Sequence, residues 1–207
     1  NDMTDYLENG ISEYDVYDRL QNAIPLFGAK LWGKGDKTLD QANSLRTTLG
    51  DAPGTNFGYE AAKDENGVIA HYNLDELNQL NNHENVELAS LDSHDALRLL
   101  GNKSYATTSF STVGLNNDLR VKVKRESSSE EEQILFESSY GSIKAVQKET
   151  GKVGLSRENH DYSFNYELPV NQWVELEFKN RKEVIDLYVN GQLVDTLGDD
   201  EQVSGRP

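Results

Sequence analysis

The sequence predicts a mainly β protein, an antiparallel jelly-roll sandwich preceded by an N-terminal helical segment. The first observation is that the spacing of apolar residues changes after residue 66 from the helical period to the two-residue period of strands. From there on, short apolar stretches alternate with Gly, Asn, Asp and Ser, a pattern typical of sandwiches and jelly rolls. Finally, Asn190-Gly191 separates two alternating stretches, as in an antiparallel hairpin with a type I′ turn.

The helical segment comes first along the chain. The stretch "SEYD", which begins at Ser12, resembles a helix start with an acidic residue three positions after the cap. Apolar residues at helical spacing then predict a helix over residues 13–31, which Pro25 kinks or interrupts. After the turn "GKGDK", a second helix is predicted from about Thr38, and Gly50 ends it.

A linker and a series of strands follow the helices. The stretch "DAPGTNFG" has Pro, two Gly and no apolar period, so it predicts a linker between residues 1–58 and a β domain over residues 59–207. The segment "GVIAHYNL" predicts the first strand, and the polar residues after it predict a loop or one helical turn. "RESSSEEE" (125–132) predicts a solvated hairpin loop. Further strands are predicted at "ALRLLG", "YATTSF", "DLRVKVKRE", "QILFESS", "SIKAVQK", "KVGLSRE", "YSFNYEL", "QWVELEF" and the two halves of the Asn-Gly hairpin.

Composition excludes several classes of function. With 20 basic and 36 acidic residues the formal charge is -16, which argues against nucleic acid as a partner. The chain has no Cys, so neither disulfides nor thiolate zinc sites form. No apolar run approaches the ~20 residues of a membrane-spanning helix, and we predict no membrane insertion. The four His residues lack metal-ligand spacing, and Ser93-His94-Asp95 is predicted to be a turn rather than a catalytic triad.

The segment "DVYDRLQNAIPLFGAKLWG" (15–33) carries a first resemblance to a known family. It resembles the last barrel region of the β-N-acetylhexosaminidases of glycoside hydrolase family 20, where a helix ending in Trp-Gly or Trp-Ser follows the final strand. "NDMTDYLENG" is similar to the loop after that strand, and the match covers about residues 1–58. The resemblance implies that Asp2 hydrogen-bonds the outer hydroxyls of the terminal sugar, and that the chain is cut from a longer protein.

A second resemblance covers residue 66 to the end. "GVIAHYNLDE", "ALRLLGNKSYATTSF" and above all "PVNQWVELEFKNRKEVIDLYVNGQLVDTL" (169–197) resemble the opening strand, the small-residue strand pair and the Trp-bearing strand with its Asn-Gly hairpin in laminin-G-like, concanavalin-A-type jelly rolls. Members of that family continue past this hairpin to closing strands. Because this chain stops at Pro207, we expect a sandwich that is incomplete or closed by other elements.

Together the two resemblances imply the carboxyl-terminal region of a secreted or cell-surface bacterial hexosaminidase, or of a lacto-N-biosidase-like enzyme. Family 20 enzymes use an Asp-Glu pair with the acetamido group of the substrate as nucleophile. No Asp-Glu pair occurs within residues 1–58, so we predict no catalytic residue and no hydrolysis by this chain alone. The expected partners are an N-acetylhexosamine-containing glycan and the remainder of the parent enzyme.

Four aromatic residues are candidates for binding a sugar. Strand parity places Trp173 on the same face as Glu175 and Glu177, where an indole can stack on a sugar ring, and Tyr188 presents the same choice. Tyr162 and Tyr166 share one strand face with Phe164 and could form an aromatic platform. For each of these positions the alternative is a structural side chain, covered by a loop or packed in the core.

Two further alternatives concern the module as a whole. A jelly roll of this kind could be a structural spacer or a protein-adhesion module with no glycan binding.

No cofactor is predicted, although Asp199, Asp200 and Glu201 could supply oxygen ligands to a structural calcium ion. The second interpretation of these three residues is a solvated acidic loop.

Overall fold

The computed structural model describes residues 62–198 except 102, 111, 112, 115, 140, 158, 159, 182 and 183; before them it describes residues 23–33 and the positions 16, 20, 38, 40, 41, 44, 45 and 48. The chain divides into two compact units, one formed by Gly58–Leu115 and the other by Asn1–Phe57 with Asn116–Pro207. The division into residues 1–58 and 59–207 that the sequence suggests stays a prediction.

A helix, α1 (Ala23–Trp32), lies in the N-terminal segment, and the described residues 16 and 20 before it are also helical. It continues through Pro25 without interruption. Residues 40, 41, 44, 45 and 48 are also helical, and Thr38 and Gln41 exchange the two hydrogen bonds of a capping box, at 3.3 and 3.0 Å. The predicted linker and the rest of the N-terminal segment lie outside the described residues.

The unit Gly58–Leu115 contains a short 3-10 helix and two small antiparallel sheets. The helix, Leu77–Gln79, lies in the polar stretch for which the sequence predicts a loop or one helical turn. Strands β1 (Asn82–Glu84) and β4 (Tyr105–Thr107) form one pair, and β2 (Val86–Leu91) and β3 (His94–Leu99) form the other. Asp92 and Ser93, with φ of 52° and 63°, make the turn between β2 and β3.

The strand predicted at "GVIAHYNL" is wrong, because these residues pair with no neighbouring strand in the described structure. Their apolar alternation is real, but Leu74 has a φ of 59°, outside the extended region. The backbone N–H groups of Asn73 and Leu74 donate to the side-chain oxygen of Gln79, at 3.1 and 3.3 Å, instead of joining a ladder. The Gln79 side chain therefore satisfies backbone groups that a neighbouring strand would otherwise bind.

Residues 116–198 fold as two four-stranded antiparallel sheets. The first has the order β12-β11-β10-β5 and the second the order β6-β7-β8-β9. The strands are β5 (Asn116–Lys124), β6 (Gln133–Glu137), β7 (Gly141–Val146), β8 (Gly154–Arg157), β9 (His160–Ser163), β10 (Trp173–Arg181), β11 (Val184–Val189) and β12 (Gln192–Leu197). Each lies within or close to a predicted strand, and the predicted mainly β, antiparallel fold is confirmed.

The two sheets share one apolar core. Val174, Leu176 and Phe178 alternate along β10 and are almost completely buried. The ring of Phe178 lies 6.0 Å from that of Phe164, which follows β9 in the other sheet. Among the described residues, the other buried apolar ones are Ala145, Val146, Val153, Leu155, Leu168, Ile185 and Leu187. Burial of each large apolar side chain contributes about 1.5–3 kcal/mol, so this cluster holds the sheets together.

Residues 126–132 are exposed as expected, but the segment 125–132 connects strands of different sheets and is not a hairpin loop. Arg125 holds it in place. Its guanidinium donates to the carbonyl oxygens of Ser129, at 2.6 Å, and Leu168, at 3.3 Å. The low-complexity sequence therefore forms the crossing from β5 to β6 rather than a hairpin turn.

The Asn-Gly hairpin joins β11 to β12 as predicted. Asn190 and Gly191 have φ of 49° and 81°, the two positive values that a type I′ turn requires. Asn190 also extends the ladder to β10, because its N–H donates to the Glu175 carbonyl at 2.9 Å and its side-chain oxygen accepts the Glu175 N–H at 3.0 Å. The turn thus fixes the relative positions of three strands.

We expect Gly191→Val to lower the free energy of unfolding by at least ~1–2 kcal/mol, the cost of left-handed backbone for a β-branched residue. A side chain at this position meets nothing within 4 Å, so the loss is conformational rather than steric. Gly191→Asn is the matched control, since Asn tolerates positive φ. Denaturant unfolding of both variants measures the difference, and equal stability of the Val and Asn variants would contradict this assignment of the turn.

Candidate functional site

The side of the β12-β11-β10-β5 sheet opposite the core brings together two of the five predicted site residues, Trp173 and Tyr188. Because side chains alternate along a strand, the core residues of β10 leave the intervening positions on the opposite face. The register of β5 and β11 against β10 adds their residues to it. We call this surface the outer face; it contains Arg120, Lys122, Lys124, Trp173, Glu175, Glu177, Lys179 and Tyr188.

Glu177 is the centre of an ion-pair network on the outer face. Its side chain is only 10% exposed, and its carboxylate lies 2.7 Å from Arg120 Nη2 and 3.9 Å from Lys179 Nζ. Glu175 approaches the same guanidinium at 3.9 Å. The hydrogen bond and the charge of Glu177 raise the pKa of Arg120 above its ordinary value. The two glutamates of β10 are therefore both directed at Arg120.

The aromatic rings of Trp173 and Tyr188 each lie near the ammonium group of a lysine. Trp173 begins β10 opposite Lys124, and the ammonium of Lys122 lies 5.9 Å from the ring centroid. The ammonium of Lys179 lies 4.3 Å from the centroid of Tyr188, which pairs with Glu177. Four residues of strand separate Trp173 from Glu177, or about 13 Å along β10. The two aromatic rings are thus separate positions with ion pairs between them.

Tyr162 and Tyr166 lie elsewhere. Both side chains are partly buried and pack against the hydrophobic core around the fully buried Phe164. Burial raises the pKa of the Tyr166 hydroxyl. The aromatic stripe of this segment therefore faces the core, and the structure does not bring these two tyrosines together with Trp173 and Tyr188.

Other candidate positions are described only in part. Asp2, Asp199, Asp200 and Glu201 lie outside the described residues. Ser93 lies in the β2–β3 turn and His94 begins β3, with its Nδ1 2.8 Å from the Asp92 carbonyl. Within the described part of the chain, no three His, Cys, Asp or Glu side chains are grouped to hold a metal ion. Over the same residues, no helix is long and apolar enough to cross a membrane.

A buried lysine in the second sheet was not predicted from the sequence. Lys144, in β7, is 6% exposed and donates to Glu132 at 2.6 Å and to Asp161 at 3.4 Å. Asp161 also accepts a hydrogen bond from Ser156. The only signal is one lysine inside the apolar run "SIKAVQK", which does not identify its carboxylate partners.

Gly154 permits a second buried polar contact next to Lys144, with which it pairs. A Cβ atom at Gly154 would lie 2.5 Å from Cγ of Gln147 and would overlap the Tyr162 carbonyl oxygen. The Gln147 amide donates to the carbonyl oxygens of Leu155 and Tyr162, at 3.0 and 3.1 Å. These interactions tie neighbouring strands to each other, and we assign them a structural role.

The described residues have a mainly β, antiparallel fold of the sandwich type. No protein-family model and no curated protein matches the sequence. Among solved structures it is similar to domain 4 of AbnA, an extracellular family 43 arabinanase from Geobacillus stearothermophilus, in complex with arabinotriose. The identity is 20% and the TM-score 0.44, and the match covers 56% of this chain and 59% of the arabinanase domain, less than two thirds of either.

We expect Arg120→Ala to lower the denaturation midpoint more than Arg181→Ala, although both arginines bridge β5 and β10. Arg120 pairs with the nearly buried Glu177, whereas Arg181 pairs at 2.8 Å with Asp118, whose side chain is 51% exposed. Removing the partner of a buried charge is costly, while exposed pairs contribute little. Denaturation in low and high salt checks this, since only the Arg181 effect should vanish in salt. Equal midpoints for the two variants would show that Glu177 does not depend on Arg120.

Proposed function

We propose that the chain is a non-catalytic glycan-binding module that stacks a sugar ring on Trp173. The observation that carries the proposal is the position of this indole on the polar outer face of β10, between charged side chains, rather than in the core. Sugar-binding sites need one flat apolar surface with a few polar groups beside it. In this proposal the exposed part of the half-buried Trp173 indole supplies the apolar surface, and Lys122 and Glu175 supply the polar groups.

The neighbouring groups suit the hydroxyls of a sugar. The Glu175 carboxylate is 44% exposed and can accept hydrogen bonds, while the Lys122 ammonium can donate them. Glu175 is also held by its backbone bond to Asn190, so the strand beside the indole is fixed before any ligand arrives. A rigid strand lowers the entropy cost of binding.

The parent protein belongs to the same proposal. On the resemblance of residues 1–58, the module forms part of the carboxyl-terminal region of a β-N-acetylhexosaminidase or a lacto-N-biosidase-like enzyme. Its ligand is then an N-acetylhexosamine-containing glycan, and its location is extracellular or at the bacterial cell surface. Asp2 would contribute to the sugar pocket of the enzyme itself.

The second candidate is a structural spacer or a protein-adhesion module. It is favoured by the ion pairs between Trp173 and Tyr188 and by the lysines at both rings, because such a face is already satisfied without a ligand. A ligand stacking on Trp173 would have to displace Lys122 from the ring or share the ring with it. Direct binding measurements therefore decide between the two functions.

We expect the 207-residue chain to bind chitotetraose, and Trp173→Ala to weaken that binding about tenfold or more, the equivalent of ~1.4 kcal/mol. Isothermal titration calorimetry measures both affinities. Tyr166→Phe is the control, because it removes only a hydroxyl from a residue packed against the core. Absence of binding to any N-acetylhexosamine oligosaccharide, with the chain folded, would favour the spacer.

We also expect the chain to release no chromophore from an aryl N-acetylglucosaminide, because residues 1–58 contain no Asp-Glu pair. The assay compares the chain with a buffer blank and with a repurified sample. Turnover that remains through repurification would show that the chain has its own catalytic site.

A further inference from the structure

Three Asn-Gly dipeptides occur in the chain, at residues 9–10, 66–67 and 190–191. The first lies outside the described residues. Asparagine before glycine is prone to spontaneous deamidation, because glycine has no Cβ atom to keep its backbone nitrogen away from the asparagine side chain. The two described dipeptides have the same following residue, so a difference in their reactivity has to come mainly from the fold.

The reaction needs only water as a co-reactant. The backbone nitrogen of the glycine attacks Cγ of the asparagine, a C–N bond forms, and the side-chain nitrogen leaves as ammonia with the proton of the glycine nitrogen. Water then opens the succinimide ring at either carbonyl, which leaves aspartate or isoaspartate. The side chain must first rotate until Cγ reaches the nitrogen of the next residue, and any contact that prevents this rotation slows the reaction.

Asn190 is exposed, but another strand holds its side chain. Its Oδ1 accepts the Glu175 N–H at 3.0 Å, and its own N–H donates to the Glu175 carbonyl at 2.9 Å. Both the side chain and the backbone of Asn190 are thus bound to β10. The side-chain amide cannot turn toward the Gly191 nitrogen while these bonds are intact.

Asn66 is also exposed, and within the described part of the chain its side chain makes no hydrogen bond. Its backbone N–H donates to Oδ1 of Asp64 at 2.8 Å, and the Gly67 N–H donates to the Asp64 carbonyl at 3.0 Å. These bonds shape the turn and leave the Asn66 side chain able to rotate. Because the turn lies at the surface, its backbone bonds open readily.

We propose that Asn66 is a site of spontaneous deamidation in the folded chain, and that the two bonds to Glu175 protect Asn190 from the same reaction. Glycan binding plays no part in this chemistry. At position 66 the product adds a negative charge beside Asp64, in an exposed turn. At position 190 an isoaspartate would add a methylene group to the backbone of the turn that sets the register of β10, β11 and β12, so protection there preserves the sheet.

The competing explanation is that the turn bond protects Asn66 as well. The Gly67 nitrogen must lose its proton before it can attack, and the Asp64 carbonyl binds that proton. In that case both dipeptides stay intact in the folded chain and react only after unfolding.

Peptide mapping by mass spectrometry separates these cases. The full chain is incubated at neutral pH, in buffer and in concentrated guanidinium chloride, and samples taken over time are digested to measure deamidation at each dipeptide. In the denatured sample the two should react at similar rates. In the folded chain residues 66–67 should react roughly tenfold or more faster than residues 190–191, because two hydrogen bonds must open before Asn190 can react.

Two variants sharpen the assignment. Asn66→Gln should abolish the fast reaction, since a longer side chain closes a larger and less favoured ring, and should leave residues 190–191 unchanged. Glu175→Ala is the control for the protected turn, because Asn190 binds only the backbone groups of Glu175, and Asn190 should stay protected in it. Denaturation midpoints establish that both variants are folded, and where one is not, the comparison within the unaltered chain decides.

Equal rates at the two dipeptides in the folded chain, or a faster reaction at Asn190, would overturn this assignment. So would an intact Asn66 in the folded chain at a time when the denatured sample has reacted, which would support protection by the Gly67 bond. Loss of protection at Asn190 in a folded Glu175→Ala variant would show that the Glu175 side chain, and not its backbone, shields the turn.

Discussion

The alternation of β10 between an apolar and a charged face is the constraint on which the rest of residues 116–198 depends. One set of its side chains fills the core, and the other set forms the centre of the outer face. Asn190 fixes this arrangement, because it bonds both backbone groups of Glu175 and so aligns β11 with β10. A shift of one residue would exchange the core residues with the glutamates and Trp173. Fold and candidate site thus depend on one register.

The two faces of β10 make different physical contributions. Phe178, packed on Phe164, couples the two sheets through burial of apolar area. Glu177 contributes little net stability, because the cost of removing a carboxylate from water offsets most of its attraction to Arg120. What the network supplies is specificity of pairing, since a basic strand beside an acidic one disfavours other registers. The indole of Trp173 lies beside this network, at the start of β10.

Much of the fold could be predicted from the sequence, because two-residue alternation and turn residues are local signals. The strands from β3 to β12 and the Asn190-Gly191 turn are examples. Pairing is not a local property, which is why "GVIAHYNL" was expected to form a strand and β2 was not expected at all. The segment 125–132 shows the same limit, since its exposure could be predicted but not the sheet it leads to.

The part of the candidate site that follows from the alternation of side chains along β10 could be predicted from the sequence. Parity placed Trp173 with Glu175 and Glu177, and the register of β5 then added Lys122 and Arg120. Antiparallel pairing of "DLRVKVK" with "QWVELEF" could have been inferred from their complementary charges. Strand alternation could not tell whether Tyr162 and Tyr166 face a ligand or the core. The answer depends on which face of their strand the other sheet covers.

The most direct test of glycan binding at the outer face is an NMR titration of the isotope-labelled chain with an N-acetylhexosamine oligosaccharide. We predict that the largest shift changes occur at the indole N–H of Trp173 and at the amides of β5 and the first half of β10, with little change in β7 and β8. Changes centred on the β6-β7-β8-β9 sheet, or none at a saturating concentration, would contradict the account.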